Sequence, residues 1–246
     1  MMRYVLTGKR LIATFLVLIG AVALCGLGMW QLDRHYQRAA LNARIAAGLA
    51  QSPVALETVS DLQSLDYRPV IARGEFDPAH EVLLRNRSLN GITGYHVITP
   101  LRLSDRNEAV LVDRGWIPLT EASPEARRKF APPPGATVVT GIARQPETYV
   151  GGPKDPPLSA ERPRLNAWFR VDVARIQEQT PYPLLPLFIE VQPVSNAPLT
   201  LPQPVAPPEL DQGPHLGYAI QWFAFAIILV VGYGVFQYRT LEERRG

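Results

Sequence analysis

Two stretches of this chain contain no Asp, Glu, Lys or Arg: Leu11–Leu32 near the start and Leu216–Tyr238 near the end. Each is longer than the ~20 apolar residues that an α-helix needs to cross a bilayer core. The pattern predicts membrane-spanning helices over 11–32 and 216–238, with short polar ends over 1–10 and 239–246. Asp33 to Ala50 lacks proline and is rich in Ala, Arg, Leu and Gln. These are strong helix formers, so the first helix is expected to run on for several turns past the membrane. Gln51-Ser52-Pro53 ends it, because a residue preceding proline avoids the helical region.

From there the period changes. Val70–Arg73, Glu81–Leu84, Tyr95–Thr99, Ala109–Val112, Thr137–Thr140 and Leu187–Val191 are short, β-branched runs, bounded by turn signals such as Asn90-Gly91, Ser104-Asp105, Gly115 and Gly135. They predict a mainly antiparallel β domain of the α+β kind over 33–192, closed as a barrel or sandwich. One helix is expected inside it, with Asp172 as N-cap and Val173 to about Gln179 as its body. Residues 193–215 are Pro-rich and aperiodic, an extended connector back to the second span.

The hydrophobic share of 47% is thus an average over two populations. A net charge of +3 is too small to argue for nucleic acid. The single cysteine, Cys25, falls within the first span and reads as a packing residue, so no disulfide framework is expected.

Basic residues set the orientation. Arg3, Lys9 and Arg10 precede the first span, and Arg239, Arg244 and Arg245 follow the second. Arg34, Arg38 and Arg44 on the inner flank make the first span ambiguous, but no Lys or Arg lies between Pro193 and His215. Both termini are therefore expected in the cytoplasm and the domain outside it. In a bacterium that places the chain in the inner membrane; in a mitochondrion the domain would face the intermembrane space. Signal-peptide cleavage after Ala21-Val22-Ala23 is the rival reading of the N-terminus, set against by the apolar sequence that continues beyond it.

The chain has no nucleophile elbow, Walker loop, H-E-x-x-H, C-x-x-C or dinucleotide fingerprint. That lowers the expectation of an enzyme. Of its four histidines, His215 opens the second span, with Ala219 and Trp222 on its helical face and Tyr218 alongside. It reads either as an anchor at headgroup level within an aromatic belt or as an axial ligand to haem iron. Gln31 and Gln221 are polar groups within spans, placed to bond across the helix pair. Trp30 has a belt reading. Arg34 suits anionic headgroups or a cofactor carboxylate. His35 and His80 read as solvated, and His96 as a surface or satisfied strand position. Val112-Asp113-Arg114-Gly115-Trp116-Ile117-Pro118 reads as a strand end turning at Gly115, with a local ion pair and a Trp over the core.

Several segments, in order, resemble the surfeit locus protein 1 family of cytochrome c oxidase assembly factors. They are Gly28 to Arg34, Tyr67-Arg68-Pro69-Val70 with Gly74-Glu75-Phe76, Gly94 to Leu101, Val112 to Pro118, Asn166-Ala167-Trp168-Phe169, and His215 to Ala226. Tyr36-Gln37 departs from the Trp-Lys often found there. The resemblance implies a non-enzymatic membrane factor that helps mature oxidase subunit I around haem a insertion. It implies haem a as a transient cofactor, His215 as its iron ligand, and the bilayer, oxidase subunit I and haem a synthase as partners. Depth and helical face add Trp30, Gln31, Arg34, Tyr218 and Trp222 as the expected cofactor surroundings. Two rival functions stay open here: a scaffold for an oxidase intermediate that binds no haem, and a membrane-tethered enzyme.

Overall fold

A computed structural model describes residues 8–146, 151–193, 200–207 and 209–243. Arg3, Arg244 and Arg245, used above for orientation, lie outside the described residues, as does 194–199 of the expected connector. The chain divides into two units: Met1–Arg44 with Leu210–Gly246, and Ile45–Glu209.

The first unit is a pair of helices. Helix α1 covers Gly8–Leu49 without interruption, which matches the expected extension past the apolar span and its end before Pro53. The last helix of the chain covers His215–Glu242. Both are long and apolar enough to cross a membrane. On α1 the less exposed positions recur as Thr14, Val17, Ala21, Leu24, Gly28, Gln31, His35, Ala39 and Asn42. Steps of three and four residues define one seam, the spacing of a coiled-coil-like contact. The last helix answers with His215, Ala219, Phe223, Ala226, Leu229 and Tyr233. Small residues let the backbones approach: a Cβ on Gly28 would lie 2.7 Å from Phe223 Cζ, and one on Gly20 would lie 3.1 Å from Leu229 Cδ2. Outside the seam Ile12, Phe15, Val22, Ile220, Ile228 and Phe236 are exposed apolar side chains. Cys25 is also exposed, not packed as its size suggested.

The second unit is built on eight strands: β1 (Val54–Ala55), β2 (Pro69–Phe76), β3 (Val82–Leu89), β4 (Ile92–Leu103), β5 (Ala109–Pro118), β6 (Ala136–Arg144), β7 (Ala167–Trp168) and β8 (Leu184–Val191). Short helices α2 (Pro124–Arg127) and α3 (Val173–Gln177) accompany them, so that the long C-terminal helix is α4. The order is β1-β2-β6-β8-β5-β4-β3-β7, with β2 also pairing β4. Path β2–β6–β8–β5–β4 therefore returns to β2. Five pairings are antiparallel, but β1–β2, β3–β7 and β5–β8 are parallel. The sheet is thus mainly antiparallel, as expected, but mixed, with three parallel pairs that the expectation did not include. A parallel β5–β8 pair needs a long crossover, and the 65 or so residues between them supply it.

Core formation explains why the strand runs were so apolar. Val110 and Val112 of β5 face one core with Val70, Leu101, Leu187 and Ile189, while Leu111 faces a second with Ile98, Phe188, Trp168 and Ile176. A strand buried on both faces loses polar alternation. Asp172 caps α3 as expected, its side chain accepting from Arg175 N.

Five local expectations change. Gly115 is not a turn: β5 runs on to Pro118, and at φ +121° Gly115 lets the Gln203–Pro204 backbone pass where a side chain would collide. Trp116 and Gln203 exchange backbone hydrogen bonds at 2.7 and 2.8 Å, so this part of the expected connector is paired to the sheet. Asp113 and Arg114 do not pair with each other. Asp113 meets His96, 2.7 Å from Oδ2 to Nδ1, and Arg114 donates to Phe130 O and Glu81. Adjacent strand residues point to opposite faces, which forbids the local pair. His80 is not simply solvated either, since its Nδ1 sits 2.7 Å from Asp77 Oδ2. The Nδ1 of His35 is buried as well.

Candidate functional site

The helix pair brings two of the expected site residues into contact. His215 Nδ1 lies 2.9 Å from Gln31 Oε1, across 184 positions of sequence. An amide oxygen only accepts, so Nδ1 carries the proton and donates. In the uncharged ring this leaves the Nε2 lone pair on the far side. Gly213 borders that side: at φ +69° it turns the chain into α4, and a Cβ on it would lie 3.5 Å from Nε2 and 3.4 Å from Cδ2. Glycine both permits the turn and leaves the flank of Nε2 open.

The segment before α4 is itself fastened to α1. Arg38 Nε and Asn42 Nδ2 each donate to Asp211 O at 3.1 Å, and the Asp211 side chain accepts from Gly213 N at 2.9 Å. Gln31, Arg38 and Asn42 follow one another at seven and four residues, which places them on one helical face. This face fixes where the loop arrives, hence where His215 begins its helix. Asn42, Asp211 and Gly213 went unnoticed in the sequence. A polar residue every turn or two past an apolar span was the available signal.

The other four candidates lie near the same end of the pair, and the imidazole's hydrogen bond goes to Gln31 and to none of them. Trp30 is half exposed, and the Arg34 guanidinium stands 5.8 Å from its ring centroid. Arg34 also donates to Gln37 Oε1 at 3.1 Å, and Gln37 to Asp33 at 2.7 Å. Tyr218 is exposed. Trp222 is half-buried, its ring edge-on to Phe225 at 6.1 Å. Gln221, expected to bond across the pair, is exposed, and Gln31 takes His215 as its partner. Towards the other end, Thr14 Oγ1 and Tyr233 Oη share a hydrogen bond of 2.6 Å.

Chemically, an imidazole with its Nδ1 proton held by an acceptor is the arrangement found in metal-ligating histidines, where the held proton fixes the tautomer and raises the basicity of the other nitrogen. Among the described residues no cluster of three or more His, Cys, Asp or Glu side chains is placed to hold a bare metal ion. A single oriented imidazole suits a metal whose remaining ligands come from elsewhere.

Comparison with known proteins completes the picture. Residues 18–227 match the SURF1 family. A SURF1-like protein of Monosiga brevicollis is 30% identical over 232 residues, covering 90% of this chain and 85% of that protein. Surfeit locus protein 1 of Mus musculus is 31% identical over 199 residues, 75% of this chain and 62% of the mouse protein. A SURF1-like protein of Rickettsia felis is 27% identical over 236 residues, 92% of this chain and 97% of that one. With the matched span running from the first apolar helix through the β-rich unit to the second, the chain belongs to the SURF1 family.

Proposed function

We propose that this chain is a membrane-bound assembly factor for haem-copper cytochrome c oxidase, which holds haem a through His215 and assists its insertion into subunit I. The observation behind this reading is the 2.9 Å contact between His215 and Gln31. Plain interfacial anchoring gives no reason for an imidazole to be held in one tautomer. Haem ligation does.

In this reading α1 and α4 span the bacterial inner membrane, with both termini in the cytoplasm and the β-rich unit outside. Exposed apolar side chains on both helices support it, as lipid would cover them. We read the closed path of five strands as a small barrel. His215 would hold the iron through its Nε2 lone pair, with Gln31 Oε1 accepting the hydrogen bond from Nδ1 and Gly213 keeping the approach free of a side chain. Trp30, Arg34, Tyr218 and Trp222 line the surroundings. Their aromatic faces suit a flat porphyrin, and the Arg34 guanidinium suits its carboxylates. The bound group would supply the redox-active iron that the oxidase later uses. Oxidase subunit I is the recipient, and haem a synthase is the donor.

Co-expression with the haem a synthesis enzymes, purification and a visible spectrum test the proposal. The wild-type protein should carry a haem a band, and His215→Ala should lose most of it while retaining its helical circular dichroism. A full band in His215→Ala would end the ligand assignment. Purification with subunit I but without haem would favour a scaffold.

A further inference from the structure

The two charge-free stretches hold three amide side chains, Gln31, Gln221 and Gln237. Two of them are bonded: Gln31 accepts from His215, and Gln237 donates to Tyr233 Oη. The third, Gln221 of α4, is exposed and makes no hydrogen bond among the described residues. It lies six residues beyond His215, about 9 Å further along the helix axis. His215 is level with Gln31, the last residue but one of the charge-free stretch of α1. On the membrane placement proposed for α4, the Gln221 amide therefore stands within the hydrocarbon, where no water answers its polar groups.

Polar side chains at such depth are answered by a neighbouring helix. That helix is not α1. Ala219 and Ala226 are buried and mark the side of α4 that meets α1, whereas Gln221 stands about 200° round the helix from Ala219. On this outer side Gly217, Gln221, Phe225, Ile228 and Gly232 follow at steps of four and three, all of them exposed. The face carries no charge, and a Cβ added to Gly217 or Gly232 would meet nothing within 4 Å. Glycines at both ends let a second backbone come close.

Copies of one membrane protein insert the same way round and to the same depth. A twofold pair of α4 helices therefore sets each residue of this face beside its own counterpart. For a carboxylate or an ammonium that would be repulsive. An amide is its own complement, with N–H groups to donate and an oxygen to accept. A different helix would have to present a polar group at that one height; a second copy always does. A single polar pair in an apolar seam also fixes register, as a lone Asn does in parallel coiled coils.

We propose that the outer face of α4 is the interface of a parallel homodimer, which rests on the membrane placement of α4 but not on haem. Each Gln221 donates an N–H to the other's Oε1, Phe225 and Ile228 pack against their counterparts, and Gly217 and Gly232 set the close approach.

Sedimentation equilibrium of the full-length protein in density-matched detergent measures the association, and oxidative crosslinking of single-cysteine variants in native membranes maps the face. Wild type should show a monomer–dimer equilibrium. Gln221→Leu should weaken the dimer by about threefold to thirtyfold, the range of interhelical hydrogen bonds, with unchanged circular dichroism. Gln221→Asn keeps an amide and should stay within about threefold of wild type. In a Cys25→Ser background, Gly217→Cys should crosslink to its own copy. Ile227→Cys should not, although Ile227 is exposed, because it stands about 120° from Gln221 round the helix. Release of the protein by an alkaline carbonate wash would overturn the membrane placement and the dimer together. A membrane-retained monomer, a Gln221→Leu variant that associates like wild type, or crosslinking as strong at Ile227→Cys as at Gly217→Cys would overturn the dimer alone.

Discussion

Replacing Gln31 by Leu removes the acceptor that holds the His215 tautomer while keeping a side chain of similar length in the seam. The lost bond is one of 2.9 Å between neutral groups. Such a bond has a net worth of ~0.5–1.5 kcal/mol. Removing the partner of a metal-ligating histidine costs about 10–100-fold in affinity. His215 is only half-buried, so water can replace part of the amide and the lower end applies. Haem a affinity should therefore drop about tenfold, equivalent to ~1.4 kcal/mol. Titrating apo-protein with haem a and following the visible band gives the dissociation constant directly. Gln31→Glu keeps an acceptor and should bind within about threefold of wild type or more tightly, since carboxylates serve the same role. Wild-type affinity in Gln31→Leu, or an equal loss in Gln31→Glu, would refute the reasoning.

Other expectations concern the two units separately. Trp168 is fully buried and donates from Nε1 to Leu165 O at 3.1 Å, so Trp168→Ala should cost ~3–5 kcal/mol in a denaturant titration of the β-rich unit's transition; a loss below ~1 kcal/mol would mean the second core is not packed as described. Gly28→Leu puts side-chain atoms where Phe223 already lies 2.7 Å from a Cβ, against ~3.5–4.0 Å for relaxed carbon contacts, and should lower the thermal midpoint of the helix pair through ~1–3 kcal/mol of overpacking. Burial raises the Asp77 carboxyl, but hydrogen bonds from Tyr182 and His80 outweigh it and hold it below its ordinary value of 3.8. The folded form then binds its proton less readily than the unfolded one, so the contribution is complete above pH 3.8 and is lost as pH falls below it. Acid titration of wild type against Asp77→Asn should show a stability gap at neutral pH that closes towards pH 3; a gap constant with pH would contradict the hydrogen-bond account.

Much of the architecture was legible because apolar period and turn chemistry act locally. All six β-branched runs became strands, Asp172 became a cap, and both charge-free stretches became long helices. Strands β1 and β7 were invisible, since two residues such as Val54-Ala55 or Ala167-Trp168 have no period to read. Parallel pairing of β5 with β8 was equally hidden, because local sequence does not specify which distant strand arrives alongside. The same limit governed the sites. The depth of Gln31 and His215 was readable from span ends, but their contact depends on how two helices far apart in sequence face each other. Asp113 was assigned to its neighbour Arg114 when its partner, His96, sits across a bulged pair of strands.

The two polar contacts of the helix seam, Thr14 with Tyr233 and Gln31 with His215, have a joint consequence. They stand seventeen positions apart on α1 and eighteen on α4, about 25 Å and 27 Å along the respective axes. Apolar side chains tolerate sliding; two hydrogen bonds at nearly matched separations do not. A slip by one turn, ~5.4 Å, would break both at once. The pair thus works as a gauge, setting the height of His215 along α1 by two marks and making that height a property of the sequence rather than of the bilayer's thickness.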